Sequence, residues 1–209
     1  MKKYFVAALI ISATTFAMSI DNMTFFGGVN ANGKQTVDKS ATFNMSGLGQ
    51  TTSDADKMGY TIGLEAHGPI AKFSKAKLEG GFGAKYESSF VGKDGKTTVA
   101  YVPVYGSLKA SVTPSKKLSI YVQGTLGYNY AFEGDVYKTL NEDFKKYGPK
   151  ISGGLYTGIG AGVDYGKYNA GVTYSTSNSE YVIKDSVDNI TYKIEDSRVS
   201  LTLGYKIGK

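Results

Sequence analysis

The sequence predicts an all-β protein: an eight-stranded antiparallel up-and-down transmembrane β-barrel. Three observations lead there. Eight runs alternate apolar with small or polar residues at the period of two that strands impose. The connections between them alternate between long and short, as they do when the two ends of a barrel face different surroundings. None of the eight apolar faces carries a charge.

The elements follow in chain order. The chain opens Met-Lys-Lys, continues through YFVAALIISA and reaches Thr15-Phe16-Ala17. A basic start, an apolar stretch and a small-residue site predict a signal peptide over 1–17, cut after Ala17. The apolar stretch is too short to span a bilayer as a helix, which takes about 20 residues. The barrel is expected over 18–209. Its first run, 23–31, presents Phe25, Gly27 and Val29 on one face. The second, 58–67, presents Tyr60, Ile62, Leu64 and Ala66. The third, 76–87, carries Leu78, Phe82, Ala84 and Tyr86. The fourth, 98–112, carries Val102, Val104, Leu108 and Ala110, with Pro103 predicting a bulge because a proline removes a ladder hydrogen bond. The fifth, 117–130, presents Ile120, Val122, Leu126, Tyr128 and Tyr130.

The sixth run raises a question of its own. Residues 153–165 read GGLYTGIGAGVDY, and Gly158, Gly160 and Gly162 invite comparison with a phosphate-binding loop. Such a loop needs G-x-G-x-x-G between a strand and a helix. Here the spacing is G-x-G-x-G, and another alternating run follows. The glycines are therefore the small face of a strand. The seventh run starts at 167 with Tyr168, Ala170, Val172 and Tyr174. The eighth ends near 208 with Val199, Leu201, Leu203, Tyr205 and Ile207. The short connections are 68–75, 113–116 and Gly166-Lys167. The long ones, expected as four extracellular loops, are about 32–57, 88–97, 131–152 and 178–197. In the last, EYVIK and ITYKI alternate around Asp188-Asn189, which predicts a hairpin rising past the membrane. Residues 137–147, YKTLNEDFKKY, could form a short helix. With an even number of strands, both ends of the mature chain fall on the periplasmic side.

Alternation alone does not say which face meets lipid. A soluble lipocalin-like barrel turns its apolar face inward and needs a charged exterior. The polar face of the fifth run is Ser119, Tyr121, Gln123, Thr125, Gly127 and Asn129, and that of the seventh is Asn169, Gly171, Thr173 and Ser175. These uncharged residues fit a narrow lumen packed with side chains. Tyr60, Tyr86, Tyr128, Tyr130, Tyr165, Tyr168 and Tyr205 sit near the ends of apolar faces, where aromatic girdles meet the two membrane interfaces. A lysine on the lipid face at the midplane costs about 2–4 kcal/mol, which accounts for uncharged faces.

The architecture, the signal sequence and the closing strand RVSLTLGYKIGK resemble the small eight-stranded outer-membrane barrels, the group of the outer membrane protein A transmembrane domain, OmpX-type and opacity-like proteins. The resemblance spans the mature chain. It implies the bacterial outer membrane as location, outer-membrane lipid as surroundings, and recognition of the C-terminal strand by the barrel-assembly machinery. Gly204, Tyr205 and Ile207 follow the expected alternation, although family members commonly end on an aromatic residue and this chain ends Ile207-Gly208-Lys209.

Composition narrows the function. The formal charge of +6 falls by two when Lys2 and Lys3 leave with the signal, and Arg198 is the sole arginine. Scattered lysines do not form a nucleic-acid face, so no nucleic-acid partner is expected. Without cysteine there is neither a disulfide nor a lipidated N-terminal cysteine. Glu65, Lys77, Glu79, Lys109, Asp164 and Lys206 fall on polar faces in the periplasmic half. Two arrangements fit them: a salt-bridge plug built around Glu65, Glu79 and Lys109, or separate hydrated charges. Lys72, Lys75, Lys116, Lys117 and Lys167 crowd the periplasmic turns, either for solubility or against anionic headgroups. His67 is the single histidine, read as a turn-edge residue with no identifiable serine partner. No catalytic site, cofactor site or metal site is expected. Two functions remain. One is a structural or surface-presenting barrel with a largely plugged lumen, its loops meeting an extracellular ligand or host surface. The other is a porin-like or OmpW-like narrow channel for small or hydrophobic solutes.

Overall fold

In the computed structural model, the described residues are 20–31, 33–41, 51–55, 59–91, 96–133, 150–184 and 189–208. The expected signal peptide, the expected helix over 137–147 and the tips of the expected loops lie outside them. Ten strands are formed: β1 (Asn22–Ala31), β2 (Gly33–Ala41), β3 (Thr51–Ala55), β4 (Gly59–Lys72), β5 (Ala76–Val91), β6 (Lys96–Ser115), β7 (Leu118–Glu133), β8 (Lys150–Tyr165), β9 (Tyr168–Lys184) and β10 (Asn189–Gly208). Eight of them, β1 and β4 to β10, pair antiparallel with their neighbours, and β10 closes on β1. The closure aligns Asn22 with Gly208 and Ala31 with Val199. Closure leaves the ring without an open edge, as a bilayer requires.

The pleat sorts the residues as the alternation requires. Ile159 and Leu203 are 67% and 73% exposed on the outer surface, whereas Tyr101, Tyr105 and Tyr156 are buried on the inner one. An apolar belt outside and a polar, aromatic filling inside is the reverse of a soluble barrel. The observed strands match the eight expected runs and extend most of them at the end remote from the chain termini. That end is called the upper one below.

Three details depart from expectation. First, β2 and β3 run within the span 32–57. Ala31 faces Val199 and Gln35 faces Asp196, so β2 continues the line of β1 along β10 with a one-residue offset. β3 then pairs back onto β2. Polar composition concealed these strands because, clear of the bilayer, neither face needs an apolar pattern. Second, no bulge occurs at Pro103. The pairings Ala84–Val104 and Glu87–Tyr101 keep one register across it, and Pro103 faces Asn129 in the unbroken register with β7. The lost donor interrupts the ladder on the β5 side without inserting a residue. Third, a bulge does occur at Pro69–Ala71, and β4 continues through it to Lys72. The expected hairpin of the last two strands is formed, with Lys184 opposite Asn189.

Candidate functional site

The bore is the site. Each strand contributes alternate side chains to it, and they gather into a lower cluster, a central chamber and an upper cluster.

In the lower cluster Asp164 is the hub. Its carboxylate lies 3.0 Å from the Lys109 Nζ and 2.5 Å from the Lys206 Nζ, and it accepts a 2.6 Å hydrogen bond from the Asn169 amide. The Lys109 ammonium also stands 3.8 Å from the centre of the Tyr121 ring, a cation–π distance. Glu79 takes its ion pair from Lys77, two residues earlier on the same strand face, at 2.6 Å. Glu65 accepts from the Tyr105 hydroxyl at 2.7 Å and from the Gln123 amide at 3.1 Å. The six charges expected in this half do lie there, but the trio Glu65, Glu79 and Lys109 does not join. Lys109 is aligned with Glu79 across β5 and β6, yet its ammonium turns to Asp164 on β8. In so narrow a bore a lysine stem reaches past the adjoining strand, so adjacency in the sheet does not decide pairing.

His67 differs from expectation. It is buried and faces the bore, because β4 runs on past it. The Ser107 hydroxyl lies 2.9 Å from its Nε2, so a serine partner does exist. Glu65 approaches that same Nε2, at 4.0 Å. A hydrolytic triad needs the nucleophile on one ring nitrogen and the orienting acid on the other. Here both crowd a single nitrogen, and Glu65 is engaged by Tyr105 and Gln123. Gly81 stands opposite, where an added Cβ would strike the imidazole.

The chamber holds a space of about 50 Å³ lined by residues that include Glu65, Tyr105, Tyr121, Gln123 and Tyr156. That is room for a few waters, since one needs about 10–15 Å³ in this measure. Tyr105 and Tyr156 pack with ring centres 5.4 Å apart. The glycine column of β8 explains itself at this level. A Cβ on Gly162 would fall on the Tyr121 hydroxyl, and one on Gly83 would come within 2.9 Å of the Tyr105 ring. Large tyrosines cross the bore because glycines face them.

The upper cluster was not anticipated. Glu87 is fully buried and lies 2.6 Å from the Lys85 Nζ and 3.7 Å from an Arg198 nitrogen. Arg198 also pairs with Asp196 and lies 5.0 Å from the centre of the Tyr101 ring. Lys85 stands 5.0 Å from the Tyr156 ring centre. Ser200 donates to Asn30 at 2.7 Å. Around this cluster the side-chain polar atoms of Thr61, Asn129, Ser177 and Ser179 are buried without a hydrogen-bond partner among the described residues. Such groups call for ordered water. A signal was present in the sequence. Lys85 and Glu87 alternate with Ala84 and Tyr86, and the sole arginine alternates with Val199, which puts all three on inner faces.

On the outer surface the tyrosines form two levels. Tyr60 and Tyr86 lie 5.7 Å apart, and Tyr128 and Tyr130 lie 5.0 Å apart, near the upper edge of the belt. Tyr168 and Tyr205 lie 5.8 Å apart at the lower edge, beside the exposed Tyr165.

The chain superposes on the crystal structure of the outer membrane protein OprG from Pseudomonas aeruginosa with a TM-score of 0.55 at 12% identity, over 91% of this chain and 98% of that one. It is similar, more loosely, to the outer membrane enzyme PagL, with a TM-score of 0.44 at 13% identity over 86% and 100% of the two chains. Neisserial surface protein A gives a TM-score of 0.42 at 11% identity over 88% and 97%. No family model matches the sequence, and no curated protein matches it at a significant level. At these identities the likeness is one of fold. By fold the chain is a small up-and-down β-barrel like that of OprG, the fold that the sequence resemblance implied.

Proposed function

We propose that this barrel is a non-enzymatic structural and surface-presenting protein of the outer membrane, with a bore that does not conduct. The observation that carries this reading is the pair of ionic clusters stacked along the axis. Asp164 with Lys109 and Lys206 stands below the tyrosines, and Glu87 with Lys85 and Arg198 stands above them. Between them lies a chamber of about 50 Å³, too small for a water-filled pore. The crowding of Ser107 and Glu65 on one nitrogen of His67 supports a role in packing over one in hydrolysis. Presentation is supported by β9 and β10, which rise above the apolar belt and carry β2 and β3 beside them. That platform is where an extracellular ligand or host surface would dock. The closing strand β10, with Ile207 opposite Met23, is the segment offered to the barrel-assembly machinery.

The narrow-channel reading has one specific observation in its favour. The lower mouth opens into a cavity of about 330 Å³ that reaches Asp164. Planar-bilayer recording of the refolded mature protein separates the two. The structural reading expects silent membranes, and large, steady conductance from the intact barrel contradicts it.

A further inference from the structure

The lower mouth has a charge imbalance that the bore clusters do not use. Its cavity of about 330 Å³ is lined by Lys77, Lys116, Lys117, Lys167 and Lys206, against two acids, Glu79 and Asp164. Five ammonium groups against two carboxylates leave a net +3. Both acids are taken, Glu79 by Lys77 and Asp164 by Lys109 and Lys206. Lys116, Lys117 and Lys167 make no ion pair among the described residues.

The turns that carry these lysines are tied to one another through the main chain. Gly166 N–H donates to the Lys117 carbonyl at 2.8 Å, Lys206 N–H donates to the Lys167 carbonyl at 2.7 Å, and Thr113 N–H donates to the Lys75 carbonyl at 2.8 Å. Gly166, at φ 60°, makes the tight turn into Lys167. The main-chain positions from which Lys117, Lys167 and Lys206 project are therefore fixed relative to one another. A concave mouth lined by one sign of charge focuses potential and concentrates counter-ions. Lysine binds phosphate as a point charge, without the paired geometry that carboxylate recognition by arginine requires. The height of the mouth matters too. Tyr165 and Tyr168 flank the Gly166-Lys167 turn and stand exposed on the outer face. Tyrosine belts mark the headgroup level, so this turn sits where lipid phosphates lie.

We propose that the lower mouth binds a phosphate-bearing anion, supplied either as a free phosphate or as the headgroup of an anionic lipid in the adjoining leaflet. The site is independent of whether the bore conducts.

The test uses the refolded barrel in two arms, with backbone and lysine NMR signals as the readout. In maltoside micelles inorganic phosphate is added. In nanodiscs phosphatidylglycerol replaces phosphatidylcholine. The expected result is a saturable shift at Lys117, Gly166, Lys167 and Lys206 in at least one arm. A response to phosphate alone assigns the free anion, and a response to phosphatidylglycerol alone assigns the headgroup; either supports the proposal. The double variant K117Q/K167Q should weaken the response about tenfold. Its barrel signals should otherwise be unchanged, because the hydrogen bonds at these positions are made by the main chain. Silence in both arms overturns the proposal. So does a response shared equally with the exposed Lys193 on the upper part of β10, or one that the double variant retains in full.

Discussion

At the upper end of the bore the side chains of Glu87 and Arg198 are 0% and 4% exposed, whereas at the lower end those of Lys206 and Lys77 keep 20% and 28%. Both ends use ion pairs within one strand and between strands that are not neighbours in the sheet. Their surroundings make the difference. The upper charges are enclosed by Tyr101, Tyr156 and buried hydroxyls, so each depends on its protein partners and on water locked in with them, away from bulk solvent. At the lower end Glu79, Lys109 and Asp164 are buried as well, but Lys77 and Lys206 border an open mouth, where water can replace a lost partner. On the proposed closed-bore reading, the upper cluster is the fully enclosed pin and the lower one the stopper that opens toward water.

The largest expected effect comes from breaking the pin. Glu87→Gln keeps the shape but leaves Lys85 and Arg198 without their shared carboxylate. Removing one partner of a buried pair costs about 3–5 kcal/mol. Urea unfolding of the lipid-embedded barrel should register a loss of that order. A loss below about 1 kcal/mol would show that bulk water reaches the upper cluster, and the contrast between the two ends would fail.

Gly162→Ala acts between the clusters. Its methyl group falls on the Ala170 carbonyl oxygen and on the Tyr121 hydroxyl, and the latter hydrogen-bonds with Asn169 beside Asp164. Overpacking should cost about 1–3 kcal/mol and shift the NMR signals of Asn169 and Asp164 while sparing Arg198. Lys109→Ala follows. Asp164 retains Lys206 and Asn169, so the loss should be about 1–2 kcal/mol in the same unfolding assay. Lys77→Ala should be the mildest, below about 1 kcal/mol, and its effect should fade as salt is raised. Salt should leave the cost of Glu87→Gln unchanged.

The sequence carried most of the barrel and less of the bore. Strand existence and facing were legible because a bilayer outside and a crowded axis inside force a strict two-residue alternation, as Val122, Leu126 and Tyr130 against Tyr121, Thr125 and Asn129 illustrate. Once the chain leaves the bilayer that constraint lapses, which is why β2 and β3 read as polar loop. Membership of the lower charge cluster was also legible, since strand direction and position along the strand fix height. Pairing within it was not. Whether Lys109 meets Glu79 or Asp164 depends on how far a side chain reaches across a bore of this width. His67 and Ser107 show the same limit: the register sets both level with Gly81, and they meet across that glycine from strands that do not adjoin. Lys85, Glu87 and Arg198 were readable in principle, because alternation places them inward.

The claim that the bore is closed by two clusters in series is tested most directly by planar-bilayer recording of Lys109→Ala. The variant loosens the lower cluster and leaves Glu87, Lys85 and Arg198 in place. Membranes containing it should stay as silent as those with the wild-type barrel, while a steady conductance from this single change would contradict the account.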